Sequence, residues 1–382
     1  MKHTKILISG ASIAGPALAY WLRRHGFHPT VVERAPAIRG GGQAIDVRGA
    51  ALDVVERMGL LAQVRGASTR MRGMSFVDAE GRELMRTTEA TLTGGKLDSP
   101  DVELMRDDLA RLLYDATRDD VEYVFDDTIT ALAQDDDGVD VRFARGEPRR
   151  FDLVIGADGL HSTTRRLVFG EESRFIRHLG TWLAIFSVEN FLELDHWQVF
   201  HDTDEAMVGI YSARDNREAR AMLGFSSPPL EFDPRDVARQ QQLVAERLAG
   251  VGWVAPRLLA AMATAPDFYF DSMSQIELER WSQGRVALVG DAACCSSPMS
   301  GQGSSVALVG AYVLAGELAA AGGDHRRGFA GYEAALRGYV AQNQQLALLA
   351  VEQRRPPAPE AVQRAAAVAL RAYGAPVPGD VP

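Results

Sequence analysis

Apolar positions along the chain gather into short blocks that end in glycine or an acid. The run Lys5-Ile-Leu-Ile-Ser9 has the look of a buried strand, and Gly10-Ala-Ser-Ile-Ala-Gly15-Pro16 follows it. Helix formers fill Ala17–Arg24, and Gly26 stands where a helix end favours glycine. Thr30-Val-Val-Glu33-Arg34 then reads as a second strand that ends in an acid. The form recurs at Phe151-Asp-Leu-Val-Ile-Gly-Ala-Asp158-Gly159, with Ser162 and Arg165 at an apparent helix start, and at Val286-Ala-Leu-Val-Gly-Asp291-Ala-Ala. Pro298 and Gly301-Gln302-Gly303 come next, and then an apolar helix over about Ser304–Ala320. Three strands that end in acid or glycine at one sheet edge mark the place where open α/β sheets bind ligands.

A region of different character lies between the Asp-Gly and Gly-Asp motifs. Thr181–Val188, Trp197–His201, Ala206–Tyr211 and Ala221–Phe225 are short, rich in β-branched or aromatic residues, and separated by turn signals. They predict an antiparallel sheet inserted into the nucleotide fold, to which Met71–Val77 and Glu83–Thr87 could add strands. Trp182, Phe186, Met207, Tyr211, Phe225, Phe268, Phe270 and Met273 are candidates to line a cavity under that sheet, with core packing as the alternative for each. Phe329–Arg355 is one apolar-striped helix, Pro356-Pro-Ala-Pro359 breaks it, and Glu360–Tyr373 predicts another before a loose Pro/Gly-rich end. The predicted fold is α/β: a Rossmann-like nucleotide-binding part with an inserted, mainly antiparallel β-sheet part and C-terminal helices. The predicted boundaries are 1–70, 98–172 and 276–330 for the first, 71–97 and 173–275 for the second, and 331–382 for the helices and tail.

The first unit is strand, turn, helix, strand, with glycines at the tight turn and at the helix–strand contact. Glu33 lies 33 − 10 = 23 residues after Gly10, as a ribose-binding acid should. The amides at the helix N-terminus suit a pyrophosphate. Ser12 stands where such turns usually carry their second glycine, and its Cβ crowds the approach. An acid at Glu33 favours an unphosphorylated adenosine ribose, as in FAD or NAD. Arg106 opens a helix predicted over Asp107–Thr117, an unfavourable place for a cation, so it answers to a ligand or pairs with Asp107 or Asp108. Gly40-Gly-Gly42 suits a mobile loop, with Gln43, Asp46 and Arg48 as polar candidates beyond it.

Charge and cysteine usage narrow the class. Lys+Arg 41 against Asp+Glu 51 gives a net −10 with no basic run, so general binding to nucleic acid or an anionic membrane is not expected. The two cysteines, Cys294 and Cys295, are adjacent, which excludes a disulfide framework and a four-cysteine zinc site. Eight scattered His form no HxH or HExxH. The apolar stretch after residue 286 is broken by Asp291 and a Gly/Ser cluster and is not read as a membrane span. The expected compartment is the cytoplasm.

Four patches together resemble the single-component FAD-dependent aromatic hydroxylases of the para-hydroxybenzoate hydroxylase fold, among which the tetracycline-inactivating monooxygenases belong. These are Gly10–Gly15 with Glu33-Arg34, Leu104-Met-Arg106-Asp-Asp-Leu109, Asp158-Gly159, and Gly290-Asp291-Ala-Ala through Gly303. The resemblance runs from Lys5 to about Ala350. It implies that Glu33 and Arg34 hold the adenosine end of FAD, that Asp158 lies near the pyrophosphate, and that Asp291 bonds ribityl or ribose hydroxyls. Pro298, Met299 and Gly301–Gly303 then lie against the isoalloxazine, and Gln43, Asp46 and Arg48 pass beside the flavin or the nicotinamide. It also implies reduction by NADPH or NADH, reaction with O2, and transfer of oxygen from a flavin C4a-hydroperoxide to an aromatic or polyketide-like small molecule. Baeyer–Villiger oxidation, epoxidation, antibiotic inactivation or a non-catalytic flavin-binding role are the alternatives. A monomer or homodimer is expected. Some larger relatives append a thioredoxin-like domain, and none is expected in this chain. Cys294 stands where the family often has His, and no redox role is expected of it. For a substrate base, His161 and His201 are the nearest candidates, with surface or structural roles as their alternative.

Overall fold

The computed structural model describes residues 4–353 and 357–374. A six-stranded sheet has the order Ser282–Gln283, Val286–Leu288, Leu153–Gly156, Lys5–Ser9, His28–Glu33, Glu122–Phe125. It is parallel except for the short edge strand 282–283. Ile6, Leu7 and Ile8 of its central strand are fully buried, as a sheet covered on both faces requires. Helices Ala14–Arg24 and Gly303–Ala320 pack on one face, and Ile6, Ile8, Leu18, Leu22, Leu308 and Val309 meet in the core there. Helix Gly303–Ala320 is long and apolar enough to cross a membrane by composition, but it is mostly buried here as a core helix.

The second layer is a seven-stranded sheet. Its order is Tyr269–Ile276, Ile176–Val188, Glu218–Ser226, Ala206–Ala213, Trp197–Asp202, Gly73–Val77, Glu83–Thr87. Its pairings are antiparallel apart from Trp197–Asp202 with Gly73–Val77. The mainly antiparallel inserted sheet is therefore present, and both optional strands join it. The strand from Ile176 is longer than its apolar run suggests, with a register shift between His178 and Trp182. Helices Val237–Leu248 and Ala255–Met262, which the sequence pattern did not reveal, cover the sheet's outer face. A three-stranded antiparallel sheet (Ile129–Gln134, Val139–Phe143, Arg149–Phe151) and the pair Ala44–Val47 with Val102–Met105 complete the β-structure among the described residues.

Two expectations at the C-terminus change. The helix predicted over 360–373 spans only Pro359–Ala366; beyond it the chain runs without helix to Gly374, and Val368, Leu370 and Tyr373 pack on the core. Apolar spacing alone could not separate these packing contacts from helical periodicity. The long helix is His325–Gln353, and the Pro-rich break after it falls partly outside the described residues, as does the chain beyond Gly374.

Close packing at the strand ends is tightest where Gly15 meets Gly10. A Cβ on Gly15 would stand 1.9 Å from the Gly10 carbonyl oxygen, and one on Gly10 would stand 2.4 Å from that of Ala157. Glycine to alanine inside a helix ordinarily stabilises by about 0.5–1 kcal/mol. Gly338, in helix His325–Gln353 with nothing near its missing Cβ, should gain that much as Gly338→Ala. Gly15→Ala should instead lose roughly 2–3 kcal/mol, because backbone must move. Denaturant unfolding of both variants checks the opposite signs; equal gains would contradict the contact.

Candidate functional site

A cavity of about 1700 Å³ lies between the two main sheets. On one side it is lined by Gly10, Ser12, Glu33, Arg34, Gln43, Asp46, Arg106, Asp158, Asp291, Pro298, Met299, Gly301 and Gly303. The fold therefore gathers residues that are far apart in sequence onto one wall.

Glu33 ties this wall together. Its Oε2 accepts the Ala11 amide at 2.8 Å and its Oε1 accepts the Ala35 amide at 2.9 Å, so the second strand's acid fastens the first turn. Ser12, anticipated as an obstruction, receives Arg106 Nη1 at 3.2 Å on its hydroxyl. Arg106 is buried and also donates through Nη2 to the carbonyls of Arg39 and Gly41, both at 3.0 Å. Burial, with Arg39 nearby, lowers its guanidinium to about 10, so it remains a cation at neutral pH. The Asp107/Asp108 alternative for Arg106 is not realised, because Arg214 takes both acids, at 2.6 and 2.9 Å. The Gly40–Gly42 loop is fastened rather than loose. Gly41 N donates to Asp107 at 2.9 Å, Arg220 Nε to the Gly42 carbonyl at 3.1 Å, and Ala44 N to the Tyr211 hydroxyl at 2.9 Å.

Asp158 faces the cavity but has its carboxylate engaged by the next helix. Thr164 N and Oγ1 both donate to it at 2.9 Å, Ser162 also hydrogen-bonds it, and Ser162 caps helix Thr163–Phe169. Asp291 is exposed to the cavity, and the desolvation it meets there raises its carboxyl pKa. A Cβ on Gly303 would come 3.9 Å from Asp291 Oδ1, which places the two motifs side by side. Gly301 is left-handed at φ +62°, and a Cβ there would stand 3.2 Å from the Thr93 carbonyl. This is a cradle that a side chain would spoil.

The opposite wall is apolar. Met207, Tyr211, Phe225, Phe268 and Met273 line it with Leu183, Ile185, Phe200 and Met222. Six methionines (Met74, Met85, Met207, Met222, Met273, Met299) of the chain's 11 face the cavity, which gives it an adaptable apolar surface.

Several sequence candidates lie elsewhere. Trp182 and Phe186 point to the other face of their strand, where Trp182 stacks on Phe270 at 5.2 Å beneath helices Val237–Leu248 and Ala255–Met262. Strand alternation gives the cavity to Leu183, Ile185 and Ser187 instead. Gly15 packs against Gly10 behind the turn. Arg48 is fully buried behind the wall, paired with Asp46 at 2.9 Å and donating to Thr93. Gln302 is buried with its Nε2 3.4 Å from the Val362 carbonyl. His201 is buried against the Val77 carbonyl at 2.9 Å and serves structure. Cys294 and Cys295 are both buried, and burial pushes both thiols up, which leaves them poor nucleophiles.

Two cavity groups escaped the sequence reading. Gln198 accepts the Leu92 amide at 3.1 Å, holding the 90–95 loop over the site. Glu103 faces Asp46 across the short ladder. The signal for both was pairing between distant strands, which residue spacing does not carry. His161 does reach the cavity, at its rim. It bridges Asp271 at 3.1 Å and Glu172 at 2.8 Å, and these two acids raise its pKa to about 10.

A dinucleotide-type wall facing a large apolar one defines a cofactor-binding α/β protein with room for a second small molecule. Residues 3–351 match the FAD binding domain family, and the chain belongs to it. It is 60% identical over 341 residues, 89% of this chain and 92% of the relative, to an uncharacterized protein of Mycobacterium tuberculosis. It is 44% identical, over 90% of this chain and 89% of the relative, to a flavin-dependent monooxygenase from an unknown prokaryotic organism. The crystal structure of tetracycline destructase Tet(55) superimposes with a TM-score of 0.87 at 39% identity, covering 98% of this chain and 100% of that one.

The His161 clasp carries a pH signature. A histidine held near 10 when folded and near 6.5 when unfolded contributes stability that is full below about 6.5 and lost as pH rises toward about 10. The melting-temperature difference between wild type and His161→Gln should therefore be largest in mild acid and shrink to nothing at high pH. A difference constant across that range would contradict the assignment.

Proposed function

We propose that this protein is an FAD-dependent monooxygenase that uses NADPH or NADH and O2 to oxygenate an aromatic or polyketide-like small molecule. The observation that carries the reading is the cavity of about 1700 Å³ whose two walls suit two different ligands. The glycine turn and the start of helix Ala14–Arg24 suit the pyrophosphate of FAD. In this reading Glu33 and Arg34 hold the adenosine end, Arg106 and the Asp158 segment the middle, and Asp291 the ribityl hydroxyls. The Pro298–Gly303 turn takes the isoalloxazine against its backbone, with Gln43 and Asp46 alongside. Helix Gly303–Ala320 would direct its positive end there, which suits the anionic edge of a reduced ring. The chemistry that bound FAD supplies is activation of O2 after reduction by the nicotinamide. The chain's part is to orient the substrate and exclude water, which the methionine-rich wall favours.

The assignment includes the boundaries 1–70, 98–172 and 276–330 for the FAD-binding part, 71–97 and 173–275 for the substrate sheet, and 331–382 for the C-terminal helices and tail. It also includes a cytoplasmic location and a monomer or homodimer. Antibiotic inactivation is a second reading, favoured by the likeness to tetracycline destructase Tet(55) over the whole chain.

The purified protein should be yellow, bleach with NADPH or NADH, and recover its colour in air. O2 uptake should rise when tetracycline or simple phenols are added, and the product should carry one added oxygen atom. Phenol turnover without tetracycline turnover would remove the antibiotic reading. Protein that takes up no FAD, or that binds it but oxygenates none of these compounds, would overturn the monooxygenase reading.

A further inference from the structure

We propose that Glu103 is the residue that takes the proton from the substrate's phenolic or enolic hydroxyl as oxygen is transferred. This rests on the monooxygenase reading and adds to it the proton acceptor that the histidines do not provide. His161 is committed to two acids at the rim, and His201 is outside the cavity.

The geometry begins with the two-stranded ladder. Ala44–Val47 and Val102–Met105 run antiparallel, and Asp46 and Glu103 are direct partners in its register. Directly opposed side chains share one face of a ladder, so the two carboxylates lie side by side, and both line the cavity. Arg48 and a third acid lie against them. Arg48 pairs with Asp46 at 2.9 Å and lies 3.8 Å from Asp101. Three carboxylates thus share one fully buried guanidinium, and Arg48 is already spent on Asp46. From the seven-stranded sheet, Tyr211 faces the pair with Arg220 beside it. Thr69 Oγ1 donates to Glu103 Oε1 at 2.7 Å and fixes the carboxyl's orientation.

The electrostatic outcome follows from this arrangement. Burial, and next the charge of Asp46, raise the Glu103 carboxyl to about 7, while Thr69 and Arg48 pull it down in part. A carboxylate of ordinary pKa near 4 is a weak acceptor for a phenol near 10; one near 7 is matched to the task at neutral pH. Met74, Phe76 and Phe200 line the same cavity, which keeps the surroundings dry.

The substrate O–H bond breaks, its electron pair stays on the substrate oxygen, and the proton forms a new O–H bond on Glu103. The charge that moves onto the substrate oxygen raises the electron density of the ring carbon, which bonds to the electrophilic oxygen as the O–O bond breaks; the electron pair of that bond leaves with the other oxygen atom, which takes up protons from solvent and departs as water. When the oxygenated ring loses its C–H proton to solvent, the oxygen left as a carbonyl recovers the proton from Glu103, and the carboxylate is restored.

Two readouts test this on the FAD-loaded protein, with tetracycline and a simple phenol as probes. Infrared titration of the wild type should show a carboxylic-acid carbonyl band that disappears with an apparent pKa near 7 and is missing in Glu103→Gln. In turnover, Glu103→Gln should keep its flavin. It should lose product formation about 100-fold or more at neutral pH, and recover it as the pH approaches the substrate hydroxyl's own ionisation. Glu103→Asp should rescue in part. A residue that only supports the fold would lower flavin occupancy or depress the rate equally at every pH. A band that titrates in the ordinary carboxylate range, or a Gln variant as productive as wild type, would overturn the proposal alone. A wild type that oxygenates neither probe would remove the monooxygenase reading and this proposal with it.

Discussion

The site exists because two glycines let three strand ends crowd together. Gly15 lies so near the Gly10 carbonyl that no other residue fits, and Gly10 in turn lies close against Ala157. The first turn can therefore nest against the strand that ends at Gly156, while Ala14 approaches the Gly290 turn, where a Cβ would stand 3.1 Å from it. From this contact the rest follows. The start of helix Ala14–Arg24 faces the cavity, Glu33 is near enough to bond the Ala11 amide, and Asp291 and Gly303 come alongside. A wall assembled from residues 10, 33, 106, 158, 291 and 301 needs that one close approach.

The second structural demand is that two sheets keep their separation. The Gly40–Ala44 segment serves as the joint. Arg106 and Asp107 hold it from the parallel-sheet side, and Arg220 and Tyr211 from the seven-stranded sheet. Arg220 is almost wholly buried and spans to the loop carbonyl, so the joint is a charged group committed to a fixed geometry. Such a group is costly to leave unpaired, which favours one spacing of the layers over a range of them. Immediately beyond this joint the chain enters the strand that carries Asp46, and the crowded acids of that ladder inherit the fixed spacing.

Much of this was legible in the sequence, and its failures have physical causes. The strands Lys5–Ser9 and Glu83–Thr87 fall where apolar spacing puts them, because a strand's boundaries are marked by local turn chemistry. Which face of a strand looks into the cavity is not local. Trp182 and Phe186 were as plausible as Leu183 and Ile185, and only the helices behind the sheet decide between them. Those helices, Val237–Leu248 and Ala255–Met262, went unread in a segment dominated by strand signals. Arg48 reads in the sequence as a site candidate, and the structure makes it the buried counter-ion of Asp46, which lines the cavity. Glu103 sits three residues from the conspicuous Arg106, yet nothing marks it until the ladder sets it opposite Asp46.

The claim that everything else rests on is the position of the flavin. Crystals of the protein loaded with FAD measure it directly. Adenosine density is expected beside Glu33 and Arg34, and the isoalloxazine against the Pro298–Gly303 turn, facing the methionine-rich wall and within reach of the Asp46–Glu103 ladder. A ring found on the far side of Arg106, or an inverted cofactor with its adenosine at Gly301, would rule out this placement of the flavin.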